Sequence, residues 1–295
     1  MIKANKKNIL KNYRYHNDDI KIHKSWMFKK RTVHGFHLVD PSNWPTITAL
    51  SACCLVIGFI NWFHGLTSSI LYSGLIALII CVYLWWRDTL REGFNFGFHT
   101  TQVFKGLQLG FLLFIVSEVM FFFAFFWALF HSSFNPSHFI GAIWPAANIT
   151  IVSPWDIPLI NTIILLTSGA TITWCHNYLC TSVKNESVIS LAITIGLAIF
   201  FLILQGYEYT SGPFNISDSA YGSVFFLLTG FHGFHVFIGT CFLTICLIRF
   251  YFKNFTQNRH FGFEAAAWYW HFVDVVWILV FISIYWWGNT QVVLF

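Results

Sequence analysis

Only 10% of the 295 residues are charged and 56% are hydrophobic, against about 25% charged in an ordinary soluble domain. A water-soluble fold is excluded, and recurring apolar runs identify an all-α polytopic membrane protein. The net charge of +5 sits in the N-terminal segment and a few loops, which marks membrane topology and not a nucleic-acid surface.

Residues 1–40 hold ten of the 17 Lys and Arg. They lack the apolar core of a signal peptide and the amphipathic, Arg-rich pattern of a transit peptide, so a basic, solvated arm is expected. Seven spans follow within a transmembrane domain expected at 41–288: about 46–64, 70–87, 103–132, 157–181, 188–209, 219–252 and 263–287. Pro41 and Pro45 punctuate the entry to the first. An amphipathic stretch is expected over 88–102 and a Pro-, Asn- and Ser-containing loop over 133–155. The third span exceeds a perpendicular crossing and is expected to tilt or protrude. Gly222, Gly230, Gly233 and Gly239 read as interruptions of the sixth. Residues 289–295 form a short tail.

Placing the N-terminus inside makes 1–45, 87–105, 182–187 and 249–262 the inside segments, and they contain all 17 Lys and Arg. So one-sided a distribution fits seven crossings with the C-terminus outside. The seven Cys show no CxxC or Cys/His metal spacing and read as small hydrophobes without a disulfide framework.

Polar residues inside the spans are the candidates for function. Glu118 opens the run SEVMFFFAFFW, and its own helical face offers Phe121, Phe122, Phe125 and Leu129. Its partner must therefore come from a neighbouring helix, water or lipid, or its carboxyl is protonated. Both a structural hydrogen bond and a proton-related or regulatory role stay open. His232 and His235 share one face of the sixth span; a metal would need a third ligand, and interhelical hydrogen bonds are expected instead. His271 and Asp274, three apart, are expected to pair. Glu208 and Glu264 lie near span ends, where water or headgroups are expected to reach them. Gly196, Gly230, Gly233 and Gly239 are candidate close-packing positions. At the inside interface, Trp85 and Trp86 mark headgroup level, and Arg87 and Arg91 can present guanidinium groups to one phosphate. Arg249 at the foot of the sixth span invites the same reading. No nucleophile constellation, phosphate loop or strong metal motif is present, so neither catalytic residues nor a metal are expected.

The stretches WWRDTLREG (85–93), SEVMFFFAFFWALFHSS (117–133), ISDSAYGS (216–223), TGFHGFHVFIGT (229–240) and HFGFEAAAWYWHFVDVVW (260–277) resemble subunit III of the cytochrome c oxidases. The likeness runs from about His37 to Gly288. It implies two helix groups, spans one and two against three to seven, with lipid in the cleft between them. It also implies a chain without haem or copper, both being held by partner subunits I and II, with accessory subunits alongside. Lipid contacts of the family fall on Trp86, Arg91, Glu92, His99 and Arg249, and its reactive membrane carboxyl falls on Glu118. The implied role is to stabilise the catalytic subunit, bind phospholipids and support proton uptake or oxygen access. The implied location is the mitochondrial inner membrane, N-terminus on the matrix side and C-terminus towards the intermembrane space, with a bacterial plasma membrane as the alternative. Phe98, Gln108 and Ala146 depart from the family pattern, which often has His, Arg and Pro there. Two other readings are an independent proton channel or carrier centred on Glu118 and a redox protein with its own haem or metal.

Overall fold

The computed structural model describes residues 35–292, apart from 95, 139, 140, 147, 148, 182, 253 and 258. The expected arm lies almost wholly outside the described residues, as does the end of the tail. Among the described residues seven helices are long and apolar enough to cross a membrane, and they coincide closely with the spans read from sequence. The chain divides into two compact units, Met1–Gly106 and Leu107–Phe295.

The first unit is a helical hairpin. α1 (Trp44–Phe63) starts with proline in its first turn, where the missing N–H is no loss. α2 (Ser69–Phe94) runs on to Phe94, so much of the stretch expected to be a separate amphipathic segment continues the second span. Two glycines close the hairpin. A methyl on Gly58 would strike the Leu71 backbone, and one on Gly74 would lie 2.7 Å from the Leu55 amide nitrogen. Bare backbone at both points lets the helices touch. The open end is tied by Trp44 Nε1, which donates to Asp88 Oδ2 at 2.9 Å.

The second unit takes most of α3 (Thr101–Phe134), then α4 (Ile157–Cys180), α5 (Lys184–Ser211), α6 (Ala220–Tyr251) and α7 (Phe261–Val280), a π-helical segment (Phe281–Trp286) and α8 (Trp287–Val292). At 34 residues, α3 is about 51 Å long, well beyond the ~30 Å hydrocarbon layer. α6 is continuous through its glycines. Ser219 caps it by accepting from the Gly222 amide at 3.3 Å, and the neighbours' hydrophobic side chains hold glycine in the helix despite its low propensity.

α7 is the most deeply buried span. Trp270 and Trp277, two turns apart, are fully buried, and each indole N–H finds a hydroxyl on α4: Ser168 at 2.9 Å and Thr162 at 3.0 Å. Buried tryptophan requires such a partner. Gly239 lies against Trp270, where a methyl would come within 2.9 Å. The expected close-packing role holds there, while Gly196 and Gly233 face open space and Gly230 meets only the Tyr209 hydroxyl, at 3.6 Å. Hydroxyl pairs join the other helices, Thr171 to Thr194 and Tyr209 to Thr229, both at 2.7 Å. In the π segment Ser283, Ile284 and Tyr285 are all buried, and Trp287 beyond it sets its ring against Phe130 and Phe134.

Candidate functional site

Glu118 lies midway along α3, and its partner comes from α6. Glu118 Oε2 is 2.9 Å from His235 Nε2. The other ring nitrogen, Nδ1, is 2.7 Å from the Phe231 carbonyl. A carbonyl only accepts, so Nδ1 carries the hydrogen. The 2.9 Å contact then needs a second proton, either on the carboxyl or on Nε2. Carboxylate beside neutral imidazole would set two acceptors face to face. The pair thus holds one exchangeable proton between a carboxyl and an imidazole, with no net charge.

Aromatic side chains line the buried histidine, while the Glu118 side chain keeps 23% of its surface exposed. Phe122 stands edge-on to His235 with centroids 4.9 Å apart, and Phe121, Tyr269 and Phe272 lie at 6.2–6.3 Å. These rings lower the local dielectric on the histidine side of the bond, which strengthens it. α3 reaches α6 and α7 through such large rings, including the stacked pair Phe125–Phe231 at 5.0 Å.

His232, one turn from His235, turns elsewhere. Its Nε2 donates to the Val273 carbonyl of α7 at 3.2 Å, so the two histidines make separate interhelical bonds. His271 and Asp274 do face each other, with Nδ1 and Oδ2 3.9 Å apart, within ion-pair range but beyond hydrogen-bond reach; Asp274 Oδ2 also lies against Gly169. Glu208 is a correction. It is only 4% exposed and accepts from the Tyr285 hydroxyl at 2.6 Å, because its side chain projects into the bundle from a position near the helix end. Its Oε2, the Asn161 Oδ1 and the Gln205 Nε2 lack partners among the described residues. Nothing in spacing marked this cluster; only the burial of one helix face reveals it.

The interface residues of α2 divide. Arg87 and Arg91 both turn towards Asp88, at 3.0 and 3.8 Å, which offsets part of the charge a phosphate would meet. Trp86 is 61% exposed. Glu92 lies 3.8 Å from His37 Nε2, and His37 faces His99 with centroids 5.6 Å apart. Burial, and then His37, hold the His99 ring below its ordinary pKa of 6.5. On α6, the Arg249 guanidinium lies 4.3 Å over the Phe255 ring, and Gly262 leaves the room it occupies.

Residues 34–289 match the family model described as cytochrome c oxidase subunit III. The cytochrome c oxidase subunit 3 of Myxine glutinosa is 53% identical over 259 residues, 88% of this chain and 99% of its own length. That of Triticum aestivum is 54% identical over 258 residues, 87% and 97% of the two chains. That of Chondrus crispus is 52% identical over 259 residues, 87% and 95%.

Proposed function

The chain belongs to the cytochrome c oxidase subunit III family, and from that premise we propose how it serves the terminal oxidase of which it is a subunit. The complex works in the mitochondrial inner membrane, which this chain crosses several times. Within it the chain is a non-catalytic core subunit. Haem and copper reside in partner subunits I and II, and this chain stabilises them, binds phospholipids and sustains proton uptake. Its N-terminus lies on the matrix side, a reading supported by the confinement of Lys and Arg to one set of segments.

The observation that carries this reading is the 2.9 Å contact between Glu118 and His235. A pair that shares one proton carries no net charge at membrane depth. Passing the proton on leaves a carboxylate beside a neutral imidazole, so release is favourable only when coupled to uptake of another proton. Phospholipid contacts are assigned to Trp86, Arg87, Arg91, Glu92 and His99 in the first unit and to Arg249 in the second. Exposed indole and guanidinium side chains suit headgroup level.

Purified oxidase carrying Glu118→Gln tests the role. Glutamine can still donate to His235 but cannot release a proton. Haem spectra should be unchanged, while activity during sustained turnover should decline faster than in the unsubstituted complex. Equal durability of the two complexes would overturn the proton-related role.

A further inference from the structure

The last turn of α4 and the residue preceding α7 bring three metal-ligating atoms together. His176 Nε2, Cys180 Sγ and His260 Nε2 all lie within 4.8 Å of one another. Cys180 follows His176 by one helical turn, whereas His260 stands 84 positions beyond His176, so residue spacing alone carries no metal signature.

From this geometry we infer that His176, Cys180 and His260 form a zinc site that clamps the end of α4 to the start of α7. Zn–N bonds of about 2.0–2.1 Å and a Zn–S bond of about 2.3 Å on a tetrahedral ion require N···N near 3.3 Å and N···S near 3.6 Å. The two imidazole nitrogens are 3.3 Å apart, and the thiol is 3.8 Å from His176 Nε2. The imidazoles already have the required spacing, and the thiol, within 4.8 Å of both, has to close in by about 1 Å at most to seat the ion.

Hydrogen bonding points the same way. His260 Nδ1 is 3.0 Å from the Thr256 carbonyl and must donate to it, which leaves Nε2 as the ring atom that faces the cluster. A backbone carbonyl that accepts from the far ring nitrogen in this way fixes the orientation and tautomer of a metal-bound histidine. The same Nε2 lies 3.1 Å from Glu264 Oε1 and 3.3 Å from His176 Nε2. The other carboxylate oxygen of Glu264 is 3.4 Å from its donor, Gln108 Nε2. Groups able to present lone pairs therefore meet at one point, where a proton on either Nε2 joins them in the metal-free chain and a cation can take its place. Two imidazoles, a thiolate and a nearby carboxylate favour a borderline-soft ion of the zinc type over magnesium or calcium. Glu264 or water takes the fourth position. Cys180 is exposed, which gives the ion an entry. Zinc has no redox chemistry, so the site is structural and independent of the proton-related pair at Glu118.

The test follows Cys180 alkylation in the intact oxidase complex by mass spectrometry, with Zn2+, with Mg2+ and with neither, in unsubstituted, His260→Gln and His176→Asn complexes. A coordinated sulfur is withheld from the reagent, so Zn2+ should slow labelling of Cys180 by about tenfold or more. Mg2+ should leave the rate unchanged, and both variants should lose the protection. Equal labelling with and without Zn2+ in the unsubstituted complex would overturn the site, even if neither variant assembles. Protection that persists in either assembled variant would also overturn it, since Cys180 would then bind zinc without this geometry.

Discussion

Replacing Gly74 by alanine probes whether the α1–α2 hairpin is closed by bare backbone. The added methyl would lie 2.7 Å from the Leu55 amide nitrogen and 3.0 Å from both the Cys54 carbonyl carbon and the Leu55 Cα, where carbon contacts settle at about 3.5–4.0 Å. Backbone atoms cannot rotate aside, so α1 must retreat by about 0.5–1 Å, a gap that forfeits a quarter to a half of each contact along the seam. The cost is about 1–3 kcal/mol, offset by ~0.8–1 kcal/mol because alanine favours helix over glycine. Gly196→Ala in α5 isolates the second quantity, since nothing lies within 4 Å of its added methyl. The two variants should thus differ by about 1–3 kcal/mol. SDS titration of the chain in bicelles measures each, with dye pairs on α1 and α2 for Gly74→Ala and on α4 and α5 for Gly196→Ala. Equal changes in the two titrations would refute the reasoning, because the seam would then have slack.

Tyr285→Phe removes the donor to Glu208 and leaves a buried carboxyl without it, which should cost about 1–3 kcal/mol by SDS titration. Tyr209→Phe should cost less, because Thr229, its partner, keeps a bond to the Phe225 carbonyl. Arg249→Lys keeps the charge but loses the planar stack on Phe255, about 0.5–2 kcal/mol of cation–π attraction; native mass spectrometry should find less anionic phospholipid retained, and full retention would exclude Arg249 from the lipid site. His99 binds a proton less readily in the folded hairpin than in the unfolded chain. Stability of the hairpin is therefore full above pH 6.5 and falls as pH drops through that value towards the lower folded one. His99→Asn should flatten this slope in SDS titrations across that range, and an unchanged slope would assign it to another group.

Hydropathy made the spans legible because each must be apolar along its full length to cross a membrane. Glu118 was legible for the same reason, as a charge-bearing group in a run that otherwise excludes them. Its partner was not. His235 lies 117 positions away, and nothing in a single chain says which faces of two helices meet. The glycines teach the same lesson. Gly196 and Gly233 look like packing sites in sequence as much as Gly58 and Gly74 do, yet only the latter two meet a neighbouring backbone. Glu208 shows the limit of depth as a guide. Nearness to a helix end gives access to water only on the outward face, and its side chain points inward to Tyr285.

The π-helical segment ahead of Trp287 works as a phase shifter. One extra residue in a helical turn rotates everything beyond it by about 100°. Through that offset Tyr285 reaches Glu208 on α5 while Trp287 reaches Phe130 and Phe134 on α3. Two contacts on different helices are therefore keyed to one irregularity of the backbone. A single-residue deletion within Phe281–Trp286 would release both at once. A scan for second-site suppressors of that deletion tests whether the Glu208 cluster and the Phe130–Phe134 rings are coupled through the phase of the terminal helix.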